Sequence, residues 1–117
     1  MKSDANVIDD RPSSVEEIEE AIRTIARTIG AEKAILFGSI ARGTDSRRSD
    51  VDVVFVQETS KRFVDRPDEP LRLLWQSLRG RGLDVLVYTP SEFERMCKGG
   101  SKFMDRVLSE GRVLYVA

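Results

Sequence analysis

The stretch FGSIARGTDSRRSDVDVVFV, residues 37–56, decides the fold. Gly38 and Ser39 leave one apolar run, and Asp50 and Asp52 stand one residue apart at the start of a valine-rich run. A run of β-branched residues with almost no polar ones is typical of a strand that is covered on both faces. The stretch therefore predicts a buried strand with two carboxylates at its start. Two acids in that position require a functional or structural explanation.

Outward from this stretch, the sequence predicts the element order α-β-β-α-β-α-β. Val15, Ile18, Ile22 and the next isoleucines recur at helical spacing behind a capping box formed by Ser13 with Glu16 or Ser14 with Glu17, and Gly30 ends that helix. The four predicted strands are KAILFG, SDVDVVFVQE, LDVLVYT and RVLYVA. Later helices are predicted in DEPLRLLWQSLRG and in PSEFERMCKGGSKFMDRVLSEG, where Gly99-Gly100 breaks or joins one or two helices.

These elements indicate an α/β (α+β) fold, in which helices pack on a small mixed sheet of about four strands. Periodicity does not give the order of the strands. Residues 1–12 are predicted to form a mobile N-terminal tail, and residues 13–117 a single domain. The chain of 117 residues, with 40% hydrophobic content, is long enough for one core and too short for two.

Composition excludes several classes of function. The net charge of −1 gives no attraction to nucleic acid or membrane, so we predict no direct nucleic-acid binding and no membrane partner. Without a long apolar run or a signal peptide, the predicted location is the cytoplasm. The chain has no histidine, which excludes histidine triads, and its one cysteine, Cys97, is predicted to be a buried structural thiol. Catalysis would depend on carboxylates, hydroxyls, basic side chains, backbone amides or an oxygen-bound metal.

The acids have two interpretations. Strand alternation puts Asp50 and Asp52 on one face, where they repel each other unless a cation lies between them. Oxygen ligands suit Mg²⁺ or Mn²⁺, although the pair could equally be solvated or paired with Arg42, Arg47 or Arg48. Asp84 opens a second apolar strand. If the two strands are neighbours, three carboxylates meet, as a two-metal transfer centre with ions about 3.5–4 Å apart requires.

The glycines upstream are also open to two interpretations. Gly38 directly follows a strand and Gly43 lies five residues on, so the backbone there could approach a ligand and its amides and hydroxyl could hold phosphate oxygens. The alternative is an ordinary turn. No Walker lysine follows, so the motif is not a P-loop. Arg42, or the arginines at 47–48, would then meet the phosphate charge, unless they form a solvated loop.

Together, GSIARG at 38–43 and DVD at 50–52 resemble the signature of the minimal nucleotidyltransferases of the polymerase-beta-like nucleotidyltransferase superfamily. The resemblance extends to Asp84 as a third acid and to the terminal VLSEGRVLYV, and it covers about residues 15–117. It implies the polymerase-beta-like nucleotidyltransferase fold. It also implies in-line attack of a hydroxyl on the α-phosphate of a nucleotide, with pyrophosphate leaving.

The resemblance also implies roles for individual residues. Asp50 and Asp52 would hold two Mg²⁺ ions, with Mn²⁺ as an alternative, and Asp84 would hold the catalytic ion and help to activate the acceptor hydroxyl. Gly38 and Ser39 would bind the triphosphate. The full set of predicted nucleotide-binding residues is Gly38, Ser39, Arg42 and Ser49.

The chain has no room for the helical acceptor domain of larger relatives, so a partner or a homo-oligomer must supply the acceptor. Minimal members of the family are often paired with a small helical toxin of the HEPN type. The resemblance therefore implies an antitoxin that moves AMP from ATP to a tyrosine of its toxin. The alternatives are an antitoxin that acts by complex formation alone, and transfer to a small molecule such as an aminoglycoside.

The helix around Trp75 bears on where a partner would dock. Leu71, Leu74, Trp75 and Leu78 are predicted to form one stripe that faces the core. If a partner docks, this helix and the polar segment SKRFVDRPD, with Phe63 in it, are the candidate surfaces.

Overall fold

The computed structural model describes residues 11–46 and 49–117. Most of the predicted tail at 1–12, and the predicted phosphate-binding arginines at 47–48, lie outside the described residues. Within them, Ser13 is fully buried, its amide donates to the carbonyl of Arg79 at 2.9 Å, and Pro12 packs against Gly80. The described start of the chain is therefore fastened to the loop that precedes the third strand.

The described residues form five α-helices, four strands and a one-turn 3-10 helix over Phe63–Asp65. The helices are α1 (Val15–Ile29), α2 (Gly38–Arg42), α3 (Asp68–Ser77), α4 (Pro90–Lys98) and α5 (Lys102–Glu110). The strands are β1 (Lys33–Phe37), β2 (Val51–Val56), β3 (Leu83–Tyr88) and β4 (Arg112–Val116). In the described part of the chain, no helix has the length and apolar content needed to cross a membrane.

Local sequence explains where the helices begin and end. Of the two capping boxes that the sequence offers for α1, Ser14 with Glu17 is the one that forms, and Gly30 ends the helix in the left-handed conformation. Thr89 and Glu92 form a second capping box at α4. The Gly99-Gly100 pair separates α4 from α5, so the predicted helical region is two helices.

The four strands form one mixed sheet in the order β3-β2-β1-β4. Strand β1 pairs antiparallel with β2 and β4, whereas β2 and β3 run parallel. The parallel register sets Asp52 opposite Asp84. The predicted fold class, a small mixed sheet of about four strands with helices packed on it, is confirmed, and the two predicted acidic strands are neighbours.

Each face of the sheet has its own apolar layer. Val53 and Phe55 of β2 face the core formed with α1 and α3, whereas Val54 faces Met104 and Val107 of α5. The predicted alternation along β2 is therefore present, and Val51–Val56 is buried at every position except Asp52. The acid interrupts an otherwise apolar strand on the face that α4 and α5 cover.

One element was not predicted, and two local predictions were wrong. Helix α2 was missed because a helix of five residues is too short to show a period. Cys97 of α4 is half-buried, since it packs at the margin of the apolar layer that contains Val54 and Met104. In α3 the core side is formed by Pro70, Leu73 and Leu74, whereas Trp75 is 71% exposed.

The error about Trp75 has a physical reason. A stripe spaced at three and four residues is wide enough to have a buried centre and exposed flanks. Helix α3 contacts the edge strand β3 as well as α1, so its outer flank has no further strand to cover it. Leu71 and Trp75 lie on that flank and project past the edge of the sheet.

This difference predicts unequal effects of two neighbouring substitutions. Leu74→Ala should lower the free energy of unfolding by about 2–5 kcal/mol, because Leu74 is fully buried. Trp75→Ala should change it by less than about 1 kcal/mol, because most of the ring already contacts water. Urea denaturation followed by circular dichroism measures both. Equal losses for the two variants would contradict the exposed position of Trp75.

Candidate functional site

Asp52 is the centre of the candidate site. It lies in the middle of the sheet, between Phe37 of β1 and Asp84 of β3 in the strand register. Neighbouring strands lie about 4.8 Å apart, and paired residues point to the same face, so the carboxylates of Asp52 and Asp84 share one face. Asp52 is half-buried and Asp84 is exposed. The two predicted acids therefore meet through strand pairing alone.

Gly38 makes room for the carboxylate of Asp52. It stands where β1 ends and α2 begins, with a φ of 78° that favours glycine. A Cβ atom at this position would overlap Oδ2 of Asp52 and would lie 3.0 Å from its Cγ. The predicted turn glycine is thus in direct contact with one of the predicted acids.

Asp50 sits one residue before β2 and is exposed. Its carboxylate lies over Gly82, where an added Cβ would overlap Oδ1 and would lie 2.9 Å from Cγ. The amide of Val51 donates to the carbonyl of Gly82 at 2.8 Å, which fixes this approach. Asp50 is therefore held beside Gly82, which lies two residues before Asp84 in the chain.

Arg81 ties the segments around Asp50 together. Its Nη1 donates to the carbonyls of Ser46 at 2.9 Å and Ser49 at 3.2 Å. Its Nε and Nη2 both donate to the carbonyl of Ser13, at 3.2 and 3.0 Å. One guanidinium thus joins the start of the chain, the loop that leads to Asp50 and the turn that leads to Asp84.

The acids have no cation paired with them in the part of the chain that the structure describes. None of the carboxylates of Asp50, Asp52 and Asp84 accepts a hydrogen bond or forms an ion pair within residues 11–46 and 49–117. Burial first, then the negative charge of Asp84 and that of Asp50, together raise the pKa of Asp52 to about 6, while the positive charge of Arg42 opposes them. Among the described residues, the site is therefore a concentration of negative charge that Arg42 only partly offsets.

The predicted nucleotide-binding residues take different positions. The hydroxyl of Ser39, in the first turn of α2, has no hydrogen-bond partner among the described residues, while its carbonyl accepts from Thr44 at 3.0 Å. Arg42 forms an ion pair of 3.0 Å with Glu110 of α5. The hydroxyl of Ser49 accepts from the Ser46 amide at 2.8 Å, so it is used within the loop.

The three carboxylates have the chemistry that a divalent cation prefers, but they are not arranged to hold one as they stand. Carboxylate oxygens are the ligands that Mg²⁺ and Mn²⁺ prefer, and a cation would relieve the repulsion that raises the pKa of Asp52. Among the described residues, however, no three side chains of the metal-binding types lie close enough to hold an ion as they stand. Binding would require the exposed carboxylates of Asp50 and Asp84 to turn toward Asp52.

Reasoning from the sequence missed three residues of the site: Arg81, Gly82 and Glu110. Gly82 could have been found, because a glycine directly before an acid-bearing strand indicates close approach of the backbone. Arg81 and Glu110 act across 32 and 68 residues of sequence, respectively. Such distant contacts leave no trace in local spacing.

Gly38 and Gly43 offer a matched pair of substitutions, because both have a φ near 77° but only Gly38 is crowded. Gly43→Ala should cost about 1–2 kcal/mol of unfolding free energy for the left-handed backbone alone. Gly38→Ala should cost about 1–3 kcal/mol more, because the new methyl group meets the Asp52 carboxylate. Urea denaturation measures both, and equal losses would show that Asp52 does not depend on the space at Gly38.

The raised pKa of Asp52 predicts how stability depends on pH in metal-free protein. The native state keeps the Asp52 proton up to about pH 6, whereas the unfolded chain loses it near its ordinary value of 3.8. Folding is therefore destabilised progressively as the pH rises through that interval. Asp52→Asn should remove this cost of ionising Asp52 in the folded state and so raise the free energy of unfolding above pH 6. The gain should be only about 1 kcal/mol, because water screens part of the repulsion.

The measurement is urea denaturation in EDTA at about pH 4.5 and 7.5, with the exposed residue Glu58 changed to glutamine as the control. The gain from Asp52→Asn should shrink toward the lower pH, while Glu58→Gln should give little change at either. A variant that is less stable than the wild type at the higher pH would show that the carboxylate is not under repulsion.

Comparisons with known proteins bear on the function of this site. No protein of curated function matches the chain in sequence. Among solved structures, the fold resembles a proposed nucleotidyltransferase from Sulfolobus solfataricus, with a TM-score of 0.54 and 23% identity over 87% of this chain and 79% of that one. It also resembles a chain of a toxin-antitoxin complex solved with AMP-PNP, with a TM-score of 0.61 and 20% identity over 85% of this chain and 73% of that one.

A family model also matches the chain, and the match includes the site. The model of the nucleotidyltransferase domain matches residues 15–115, which include both acidic strands and the Gly38 turn. The chain, whose sheet, paired acids and glycine turn fall within that match, therefore belongs to the nucleotidyltransferase domain family.

Proposed function

We propose that this protein is a metal-dependent nucleotidyltransferase that moves AMP from ATP to a hydroxyl group of a partner protein, and that it acts as the antitoxin of a toxin–antitoxin pair. The observation that carries the proposal is the cluster of Asp50, Asp52 and Asp84, which collects at the start of two parallel strands without a paired cation in the described chain. A protein keeps such repulsion where a bound cation and a charged substrate relieve it.

Asp50, Asp52 and Asp84 would hold the divalent ions, two Mg²⁺ or alternatively Mn²⁺. When bound, such ions supply positive charge that stabilises the developing negative charge on the phosphates. Asp52 is fixed by the centre of the sheet, and Asp50 and Asp84 are exposed beside it. This combination gives one rigid ligand and two that can adjust to the substrate.

The triphosphate would lie against the turn between β1 and α2. Gly38 allows the backbone to pass close to the acids, and the Ser39 hydroxyl, unpaired within the described residues, is available to a phosphate oxygen. Arg42 reaches the same region, as its effect on the pKa of Asp52 indicates, and Glu110 orients it. Ser49 would contribute by shaping the loop that carries Asp50.

The reaction is in-line displacement at the α-phosphate. The acceptor oxygen forms a bond to the α-phosphorus, the bond from that phosphorus to the bridging oxygen breaks, and pyrophosphate leaves. Asp84 takes the proton of the acceptor hydroxyl, because it is the acid that is exposed on the edge strand. ATP as donor places the reaction in the cytoplasm.

The fold neighbour with AMP-PNP is part of a toxin-antitoxin complex, which supports a toxin as the acceptor and an adenine nucleotide as the donor. We propose a small helical toxin of the HEPN type, with a tyrosine as the modified residue. A homo-oligomer is the other way in which the acceptor could be brought to this domain.

The decisive experiment incubates the protein with ATP labelled at the α-phosphate, Mg²⁺ and the product of the neighbouring gene. Label should appear on that product, and Asp52→Asn should abolish transfer. Asp84→Asn should lower the rate about 10²–10⁴-fold, as loss of a general base does. Asp105→Asn, which changes an exposed acid of α5, is the control and should leave the rate unchanged.

The same variants separate the alternatives. If the protein neutralises a toxic neighbour, nothing becomes labelled and Asp52→Asn still neutralises, then the protein acts by complex formation and the proposed activity is wrong. Label on a small molecule in a substrate panel that includes aminoglycosides, with none on protein, would replace the protein acceptor with a small one.

A further inference from the structure

The strand β3, which carries Asp84, lies at one edge of the described sheet. We propose that its outer edge binds an extended segment of the acceptor protein as an added strand, which presents its hydroxyl side chain to Asp84. The inference rests on the proposed function, because it specifies how that acceptor is recognised. The segment it predicts has a hydroxyl residue between two apolar ones.

The hydrogen bonds of β3 show which groups face outward. The carbonyls of Gly82 and Tyr88 accept from β2 and from the residue after it, at 2.8 and 2.9 Å. Because residues of a strand point their amides and carbonyls alternately to either side, the even-numbered positions of β3 face β2. Leu83, Val85 and Val87 therefore direct their backbone groups away from the sheet, and β3 is an edge strand.

Among the described residues, a side chain covers one end of this edge. Arg66, whose side chain is 10% exposed, donates from Nη1 to the outward carbonyl of Val87 at 3.3 Å. Within residues 11–46 and 49–117, the outward groups of Leu83 and Val85 have no hydrogen-bond partner. Unpaired amides and carbonyls in a row bind another extended backbone. The open end of the edge is the end at which Asp84 lies.

Strand geometry then places the incoming side chains. A strand added to β3 would lie about 4.8 Å away, and its residue beside Asp84 would point to the same face as that carboxylate. That residue would lie next to the acid we propose as its proton acceptor. A tyrosine, serine or threonine there would enter the site directly from the added strand.

The other face of the edge offers an apolar shelf, formed by Leu71, Trp75 and Leu83. Leu83 faces the α3 side of the sheet, opposite to Asp84, and Trp75 and Leu71 are 71% and 37% exposed beside it. A groove of about 480 Å³ lies here, lined by Asp68, Leu71, Arg72, Trp75 and Leu83. A second groove of about 530 Å³ shares Trp75 and Leu83 and continues to Gly82, beneath Asp50.

The apolar shelf and Asp84 together indicate what kind of segment would bind here. Side chains of an added strand alternate between faces, so the residues on either side of the hydroxyl residue would rest on Trp75 and Leu83. Large exposed aromatic side chains are the usual anchors of protein interfaces. An extended segment with apolar residues flanking a hydroxyl residue matches both faces at once.

Charge argues against a second copy of this chain as the occupant. Two β3 edges paired antiparallel about a two-fold axis would bring both clusters of Asp50, Asp52 and Asp84 to one face of a continuous sheet. Their carboxylates already raise the pKa of Asp52 within one chain, so a second cluster nearby would add to that repulsion. A segment that brings hydroxyls or positive charge does not meet this obstacle.

The test uses the full chain and the capped peptide Lys-Thr-Val-Tyr-Val-Thr-Lys, which places tyrosine on one face and valines on the other. The control peptide has prolines in place of both valines and cannot pair as a strand. Amide exchange followed by NMR should slow at Leu83 and Val85 and stay unchanged at Asp84 and Leu86, which are already paired. Trp75→Ala should weaken binding about 10-fold, and Leu108→Ala, which changes an exposed residue of α5, should not.

The outcomes distinguish the inference from the proposed function. Protection at alternate residues of β3 by the first peptide alone, with label from ATP on its tyrosine, supports both. The same protection without transfer supports the edge as a binding site and counts against the enzyme. Transfer without alternate protection, binding that Trp75→Ala does not change, or the absence of peptide binding each overturns the inference.

Discussion

The parallel pairing of β2 with β3 is the constraint on which the site depends. Its register puts Asp52 beside Asp84, and the bond from the Val51 amide to the Gly82 carbonyl extends that register to Asp50. A slip of one residue would turn either acid to the opposite face, among the side chains of α1 and α3. The apolar residues of β2 fix the register because both faces of that strand are packed. Core packing and placement of the acids are therefore one requirement.

The fold accommodates the acids at some cost and leaves the repulsion between them. Gly38 and Gly82 provide space for the Asp52 and Asp50 carboxylates, yet neither acid receives a hydrogen bond from the described residues. Arg42 acts on Asp52, but its guanidinium is shared with Glu110, so it cannot neutralise three carboxylates. Functional sites are where such unfavourable electrostatics persist, because ligands relieve them. This unrelieved repulsion is the feature from which the proposed binding of cations and then of phosphate was inferred.

Local sequence predicted what local forces decide. The capping box of α1, the alternation along β2 and the acid-first starts of two strands depend on neighbours in the chain, and all were readable. The strand order was not, because parallel or antiparallel pairing depends on how distant segments pack. The exposure of Trp75 was missed because helical spacing shows which side of α3 is apolar but not how far the sheet extends beneath that side. Arg81 joins segments far apart, so spacing could not suggest it.

The position of the third acid on an edge strand follows from the small size of the sheet and has a chemical consequence. In the order β3-β2-β1-β4, the parallel neighbour of β2 that carries Asp84 is the outermost strand, because the antiparallel β1 occupies the inner side of β2. Asp52 is thereby shielded at the centre, where a fixed and partly desolvated ligand is useful. Asp84 is exposed at the margin, where a second molecule can approach. In the function proposed above, the nucleotide would lie on the inner side of the cluster, and the outer side would stay open to the molecule that supplies the hydroxyl.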